Sequence, residues 1–220
     1  MTSQTTKIHN FQELNLSKTR ELALLIADKG LRAIDSSQVI KRVVQLENHT
    51  LLISGKPFTL APDGKLIIVG IGKCALDTIK GLETILGPLI TRGVALDVRE
   101  DKTCHFEKIE CVSGSHPLPS DDNILATKKI IKTLAELTES DTVLFVISGG
   151  GSTLLCQPEA GATCLEEKII VSALLQAGAT IQELNTVRKH MSLARGGYLA
   201  KYAYPAQVIS LIFSDVPGND

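Results

Sequence analysis

Residues Val143 to Leu155 read VLFVISGGGSTLL, a continuous water-avoiding run that halts at three consecutive glycines between two serines. A short apolar run with so abrupt an end predicts a strand buried on both faces, and such a strand requires helices packed above and below it. The same grammar recurs in KLIIVGIGKCA, GVALDV, KIECVS and QVISLIF, none of which alternates strictly between apolar and polar residues. Helical segments separate most of these runs. The predicted fold is therefore α/β: a three-layer α/β/α domain around a mainly parallel, Rossmann-like sheet, spanning 1–220 without repeats or low-complexity linkers.

The helix signals are local. Leu22, Leu25, Ile26 and Leu31 fall at helical spacing between about Leu16 and Ala33, and a second helix is expected from Ser36 or Ser37, carrying Val39, Val43 and Val44. SGKPFTLAPDGK reads as turn-rich, with Pro62-Asp63-Gly64 a tight turn. A helix follows the first long strand to about Leu86. Ser120 caps another through about Leu137, and Thr163 with Glu166 has the spacing of a capping box on a helix that Gly178 ends. QELNTVRKHMS and GGYLAKYA complete the set.

Composition excludes several classes of function. Lys plus Arg number 23 against 24 Asp plus Glu, so no overall basic field points to nucleic acid or an anionic membrane. No segment reaches the ~20 apolar residues of a membrane span, and the start of the chain lacks the pattern of a secretory signal, so a cytoplasmic setting is expected. The five cysteines include no C-x-x-C pair and, being odd in number, form no complete disulfide framework. Apolar helical faces leave a homo-oligomer open.

In an open parallel sheet, ligands gather beyond the carboxyl ends of the strands. Four loops are expected there: Gly70-Ile71-Gly72-Lys73, Gly114-Ser115-His116-Pro117, Ser148-Gly149-Gly150-Gly151-Ser152 and Ser214-Asp215-Val216-Pro217-Gly218. Glycine costs roughly 0.5–1 kcal/mol inside regular structure but allows close approach of a ligand to the backbone. Gly149, Gly150 and Gly151 thus suit an anion or phosphate held on peptide N–H groups, helped by the positive end of a following helix or turn; a tight strand-to-helix turn is the plainer use. Lys73 offers a mobile positive charge, although its loop has neither the full G-x-G-x-x-G nor the Walker A spacing. His116, held between Ser115 and Pro117, suits ligand contact, proton chemistry or turn hydrogen bonding.

A second clue lies in ELNTVRKHMS. If Leu184, Val187 and Met191 pack inward, Asn185, Arg188, Lys189 and Ser192 share the polar side. Arg188 is suited to paired contacts with a carboxylate or phosphate, and Lys189 to a point charge. A solvated charged face is the alternative. Asp215, at the end of VISLIFSD, is suited to polarising a hydroxyl, holding a divalent cation or accepting turn N–H groups. Ser148, Ser152 and Ser214 are further polar candidates; no metal-ligand spacing is present.

Taken in order, GIGKCA, GSHPLPSD, FVISGGGSTLL, ELNTVRKHMSLARGG and LIFSDVPGND resemble the amino-terminal portion of the glycerate 2-kinase family, also found under hydroxypyruvate reductase names. The resemblance implies transfer of the ATP γ-phosphoryl group to the 2-hydroxyl of D-glycerate, giving 2-phosphoglycerate, with Mg-ATP as the nucleotide. It implies two α/β domains facing a cleft, of which this chain resembles the first. By motif match, Lys73 and Asp215 are the catalytic candidates; from the loops and the polar helix face read above, His116, Ser148, Asn185, Arg188 and Lys189 fall to the substrate, and Gly149, Gly150, Gly151 and Ser152 to phosphate or nucleotide. The family's later arginine has no counterpart here. NAD(P)H-dependent hydroxypyruvate reduction and a non-catalytic metabolite-binding domain are the competing expectations.

Overall fold

The computed structural model describes residues 6–98, 105–159 and 161–214. Helices α1 (Phe11–Leu14), α2 (Lys18–Ala33) and α3 (Ser36–Val43) lead into strands β1 (Val44–Glu47), β2 (Thr50–Ile53) and β3 (Lys56–Thr59). Then come β4 (Leu66–Ile71), α4 (Ala75–Leu86), β5 (Ile90–Asp97), β6 (Ile109–Ser113), α5 (Asp121–Thr133) and β7 (Thr142–Ser148). The rest comprises α6 (Gly151–Leu154), α7 (Cys164–Gln176), α8 (Ile181–His190), α9 (Tyr198–Ala203) and β8 (Gln207–Phe213).

Five strands form the main sheet in the order β6-β5-β4-β7-β8, and every neighbouring pair is parallel. The chain adds strands outward from β4 through β5 to β6, then returns to the other side of β4 with β7 and β8. The order thus reverses between β4 and β7. That is the position at which an open α/β sheet opens a crevice beyond its strand ends.

Alternate residues of these strands feed two cores. Leu66, Ile68, Leu144 and Val146 pack with Ile40, Leu76, Ile79 and Leu82 on one face. Ile67, Val69, Val143 and Phe145 pack with Ile130, Leu134, Leu199 and Ala203 on the other. Every residue of β4 is buried, which explains why its sequence shows no polar alternation. The three-layer reading of the sequence holds.

Two expectations need correction. The turn-rich reading of 54–65 missed an antiparallel sheet, β1-β2-β3, and Val44 begins its first strand instead of ending a helix. Its strands have only four residues each, too short for periodicity to mark them. The helix expected between Leu16 and Ala33 is α2, and its apolar residues stay largely uncovered: Leu22 is 61 % and Ile26 66 % exposed, and Asp28 is that helix's buried residue. Asp28 takes the Lys7 backbone N–H at 2.6 Å and the Arg32 Nε–H at 2.5 Å, so local polar bonds, not an apolar stripe, fix the helix in place.

Candidate functional site

The glycine-rich ends of β4 and β7 lock onto each other at the switch point. Lys73 N donates to Gly149 O at 3.0 Å, Cys74 N donates to the Ser148 hydroxyl at 3.2 Å, and that hydroxyl lies 3.5 Å from Ile71 O. Gly72 sits between them with φ at +123°, and a Cβ there would lie 2.2 Å from Ser148 Oγ and 2.6 Å from Ser148 O. Only glycine fits both the backbone angle and the space. Ser148, buried, is thus occupied in holding the two loops together.

This locking also uses up the start of α4. Ala75 N donates to Gly72 O at 3.1 Å, and Leu76 N donates to the fully buried Asp97 carboxylate at 3.2 Å. The N–H groups from Lys73 to Leu76 all meet protein acceptors. Asp97 stands at the end of the neighbouring strand β5, a place where a dinucleotide-binding fold keeps a carboxylate for ribose, yet here it is sealed inside and caps a helix.

Across the crevice, Gly150 turns the chain with φ at +87° and opens α6. A Cβ on it would come within 3.1 Å of His116 Cδ2, 3.3 Å of His116 Nε2 and 3.3 Å of Lys73 Cε. The bare glycine therefore lets imidazole and lysine stem converge on one turn of backbone. Helix α6 is a single turn of four residues, so its dipole adds little. Charge at this corner comes from side chains instead: partial burial and then the Lys73 and Arg188 charges hold the His116 pKa below its ordinary 6.5.

Asn123 fixes the His116 loop. Its fully buried side-chain oxygen accepts from Ser115 N at 2.8 Å and Ser120 N at 3.0 Å, and its amide nitrogen donates to Ser115 O, Thr153 O and Leu154 O at 3.0, 3.2 and 3.3 Å. One side chain thus joins the loop after β6 to the turn after β7.

Beside this corner lies a cavity of about 400 Å³. Ile71, Phe145, Ile147 and Leu199 line its apolar part; Ser152, Asn185, Arg188 and Lys189 supply polar groups. Burial, then the nearby Arg195 charge, pushes the Arg188 guanidinium below its usual range. Arg195 also lines the cavity and is itself buried, donating from Nη1 to Glu167 Oε1 at 2.7 Å and to Arg188 O at 3.3 Å, and from Nη2 to Leu155 O. Among the described residues no three His, Cys, Asp or Glu side chains gather as a metal cage.

The model of the family described as "Domain of unknown function (DUF4147)" matches residues 22–220. The chain belongs to the DUF4147 family. A D-glycerate 2-kinase of Thermotoga maritima is 33 % identical over 91 % of this chain and 45 % of its own length. A putative hydroxypyruvate reductase of Agrobacterium vitis is 40 % identical over 71 % of this chain and 40 % of its own. A crystal structure of a Pyrococcus horikoshii OT3 protein superposes with a TM-score of 0.82 at 33 % identity, over 93 % of this chain and 45 % of the other. The chain spans about half the length of the curated relatives it matches.

Of the residues singled out in sequence, this DUF4147 chain brings Lys73, His116 and Gly150 to one corner, with Gly149 and Ser148 in the supporting lock. Gly151, Ser152, Asn185, Arg188 and Lys189 line the adjoining cavity. Asp215 lies outside the described residues. Sequence reasoning missed Asp97, Asn123, Glu167, Arg195 and the pair Gly196-Gly197, both of positive φ and both on the cavity wall. A signal existed for two of these: Asn123 stands three residues after the cap Ser120, and consecutive glycines follow Arg195. Among the described residues no helix is long and apolar enough to cross a membrane.

Proposed function

We propose that this chain is the amino-terminal α/β domain of a glycerate 2-kinase, which moves the γ-phosphoryl group of ATP to the 2-hydroxyl of D-glycerate. The observation that carries the reading is the convergence of Lys73 and His116 on Gly150 beside the cavity that holds Arg188 and Lys189. A small carboxylic acid and a polyphosphate both need cations that meet on one backbone turn. Curated relatives bearing the glycerate 2-kinase name support it.

Mg-ATP, when bound, supplies the transferable phosphoryl group and a divalent charge on the phosphates. The donors present suit it: the amides of Gly150 to Ser152, the ammonium groups of Lys73 and Lys189, and the forked guanidinium of Arg188. The apolar part of the cavity suits the nucleoside end, since a three-carbon acid offers no apolar surface to bury there. In this reading Lys73 neutralises charge on the acid or the phosphoryl group. His116, whose pKa burial and then its cationic neighbours lower, hydrogen-bonds the substrate. Asp215 orients the 2-hydroxyl and takes its proton as the new O–P bond forms and the ATP β,γ-bridge breaks.

Hydroxypyruvate reduction fits less well. The amides from Lys73 to Leu76, leading into α4, that would cradle a dinucleotide pyrophosphate already meet Gly149, Ser148, Gly72 and Asp97. The test is an assay of the 220-residue chain and of a full-length homologue with Mg-ATP and D-glycerate, reading ADP and 2-phosphoglycerate together. Equal, glycerate-dependent formation of both by the full-length homologue, with saturable binding of both ligands by the 220-residue chain, is expected. Hydroxypyruvate-dependent NADH oxidation in place of ADP formation would overturn the reading, and binding by both proteins with no product from either would favour a binding domain.

A further inference from the structure

Arg195, in the wall of the cavity, forms an ion pair with Glu167 behind it that is closed off from solvent, 6 % and 2 % exposed, and the phosphoryl transfer proposed above gives neither a task. A buried pair of this kind is weak as a source of stability, because removing two charges from water offsets their attraction. What distinguishes this one is its geometry. From a single guanidinium, Nη1 reaches Glu167 on α7 and the carbonyl of Arg188 in the last turn of α8, while Nη2 reaches the carbonyl of Leu155 just after the glycine turn and α6. The geometry is kept although Nε is buried without a hydrogen-bond partner among the described residues.

Among the described residues, other bonds join the same segments further along the chain. Leu193 N donates to Gln157 O at 2.7 Å, and Pro158 bridges Ser192. These bonds set the strand-like return of the chain but do not hold the end of α8, where Arg188 and Lys189 sit. Arg195 does, through a backbone acceptor that no change of the Arg188 side chain would remove.

We infer that Arg195, oriented by Glu167, is a positioning residue for anion binding: its fork sets the Arg188-Lys189 turn of α8 at a fixed distance from the Gly149-Gly151 turn. This rests on the reading that Arg188 and Lys189 receive an anionic ligand. The guanidinium fork is essential to it, since lysine keeps the charge opposite Glu167 but cannot serve two carbonyls and a carboxylate in one plane. Glu167 also lies 3.6 Å from the Cys156 sulfur through its other oxygen, so its carboxylate is pinned from two sides.

The decisive variants are R195K and the double variant E167M/R195M, made in the 220-residue chain. Mg-ATP and D-glycerate are titrated separately by calorimetry, the melting temperature is recorded, and the Arg188 Nε–H resonance is followed with labelled arginine. The double variant removes both buried charges together and is expected to keep the melting temperature within a few degrees of the parent. It is expected to bind Mg-ATP about 10–100-fold more weakly, by analogy with the loss of a group that orients a metal-ligating side chain. R195K should lose about tenfold and shift the Arg188 resonance; as the charge is retained, that shift reports displacement. A merely structural pair predicts restored stability and restored affinity together in the double variant, and that result would overturn the inference. If the double variant does not fold, R195K decides by the same affinity and resonance criteria. If the parent chain binds neither ligand, the full-length assay above decides the kinase reading, and the Arg188 resonance in R195K decides the positioning role: moved, it stands; unmoved, it is overturned.

Discussion

Gly150 and His116 meet so closely that a single methyl on the glycine would touch the imidazole, 3.1 Å from Cδ2 and 3.3 Å from Nε2. The Gly150 backbone is also left-handed, with φ at +87°. Gly150→Ala is therefore expected to cost about 1–2 kcal/mol in backbone strain. The exposed ring would swing away, so on the proposed kinase reading affinity for D-glycerate should fall as well. Urea denaturation and calorimetry read the two effects separately; an alanine variant of unchanged stability and affinity would contradict the geometry.

His116 gives a pH signature. Partial burial is the larger cause of its lowered pKa, and the positive charges of Lys73 and Arg188 add to it. The folded chain thus takes up this proton at lower pH than the unfolded chain does. Stability accordingly declines as pH falls through the unfolded value of about 6.5, and the decline ends below the folded pKa. Titration by NMR, with the resonance assigned from H116N, should give a midpoint below 6.5. Lys73→Met should raise that midpoint without restoring it fully, because burial and Arg188 persist; a parent midpoint at or above 6.5 would contradict the arrangement.

At Gly72 the obstacle is backbone, not a side chain that can turn aside. A Cβ would lie 2.6 Å from Ser148 O as well as 2.2 Å from Ser148 Oγ, at φ +123°. Gly72→Ala should destabilise by about 3 kcal/mol or more, the sum of overpacking and a left-handed alanine. Adding Ser148→Ala should leave most of that loss in place, as the carbonyl remains. Denaturation midpoints of the single and double variants check this.

The layer order was legible because the main strands are buried on both faces: KLIIVGI and TVLFVIS carry no polar alternation, and each ends in a loop whose glycines announce a turn. The site was legible to the extent that it lies on those loops, hence Lys73, His116 and the triplet Gly149 to Gly151. What escaped notice depends on contacts distant in sequence. Arg195 reaches back to Leu155 and Glu167, and Asn123 reaches forward to Thr153; nothing in the local pattern of either residue records its partner. Asp97 escaped because a carboxylate closing a strand looks exposed until α4 is seen to close over it. The exposed leucines of α2 show the converse: helical spacing gives the helix, but not what covers its face.

Asp141 supplies a test of the scaffold beneath the site. It is buried between β4 and β7, where its carboxylate accepts from Lys65 N at 2.7 Å and from Thr138 N at 2.8 Å and its own carbonyl takes Gln207 N at the start of β8. Burial alone would raise its pKa, but the hydrogen bonds from Lys65 and Thr138 outweigh it and hold the carboxyl below its ordinary 3.8. Because the folded pKa is depressed, the stabilisation is present above about 3.8 and is lost as pH falls through the folded value. Asp141→Asn keeps the shape but replaces one acceptor oxygen with a donor facing N–H groups, and should cost about 1–3 kcal/mol at pH 7. The gap between parent and variant should then narrow when urea midpoints are measured near pH 3, since below about 3.8 the unfolded parent takes up a proton that its folded carboxylate resists, while the variant has no such proton to bind. A gap that stays constant from pH 7 to pH 3 would show that the ionised carboxylate is not what ties the start of β4 to the turn before β7.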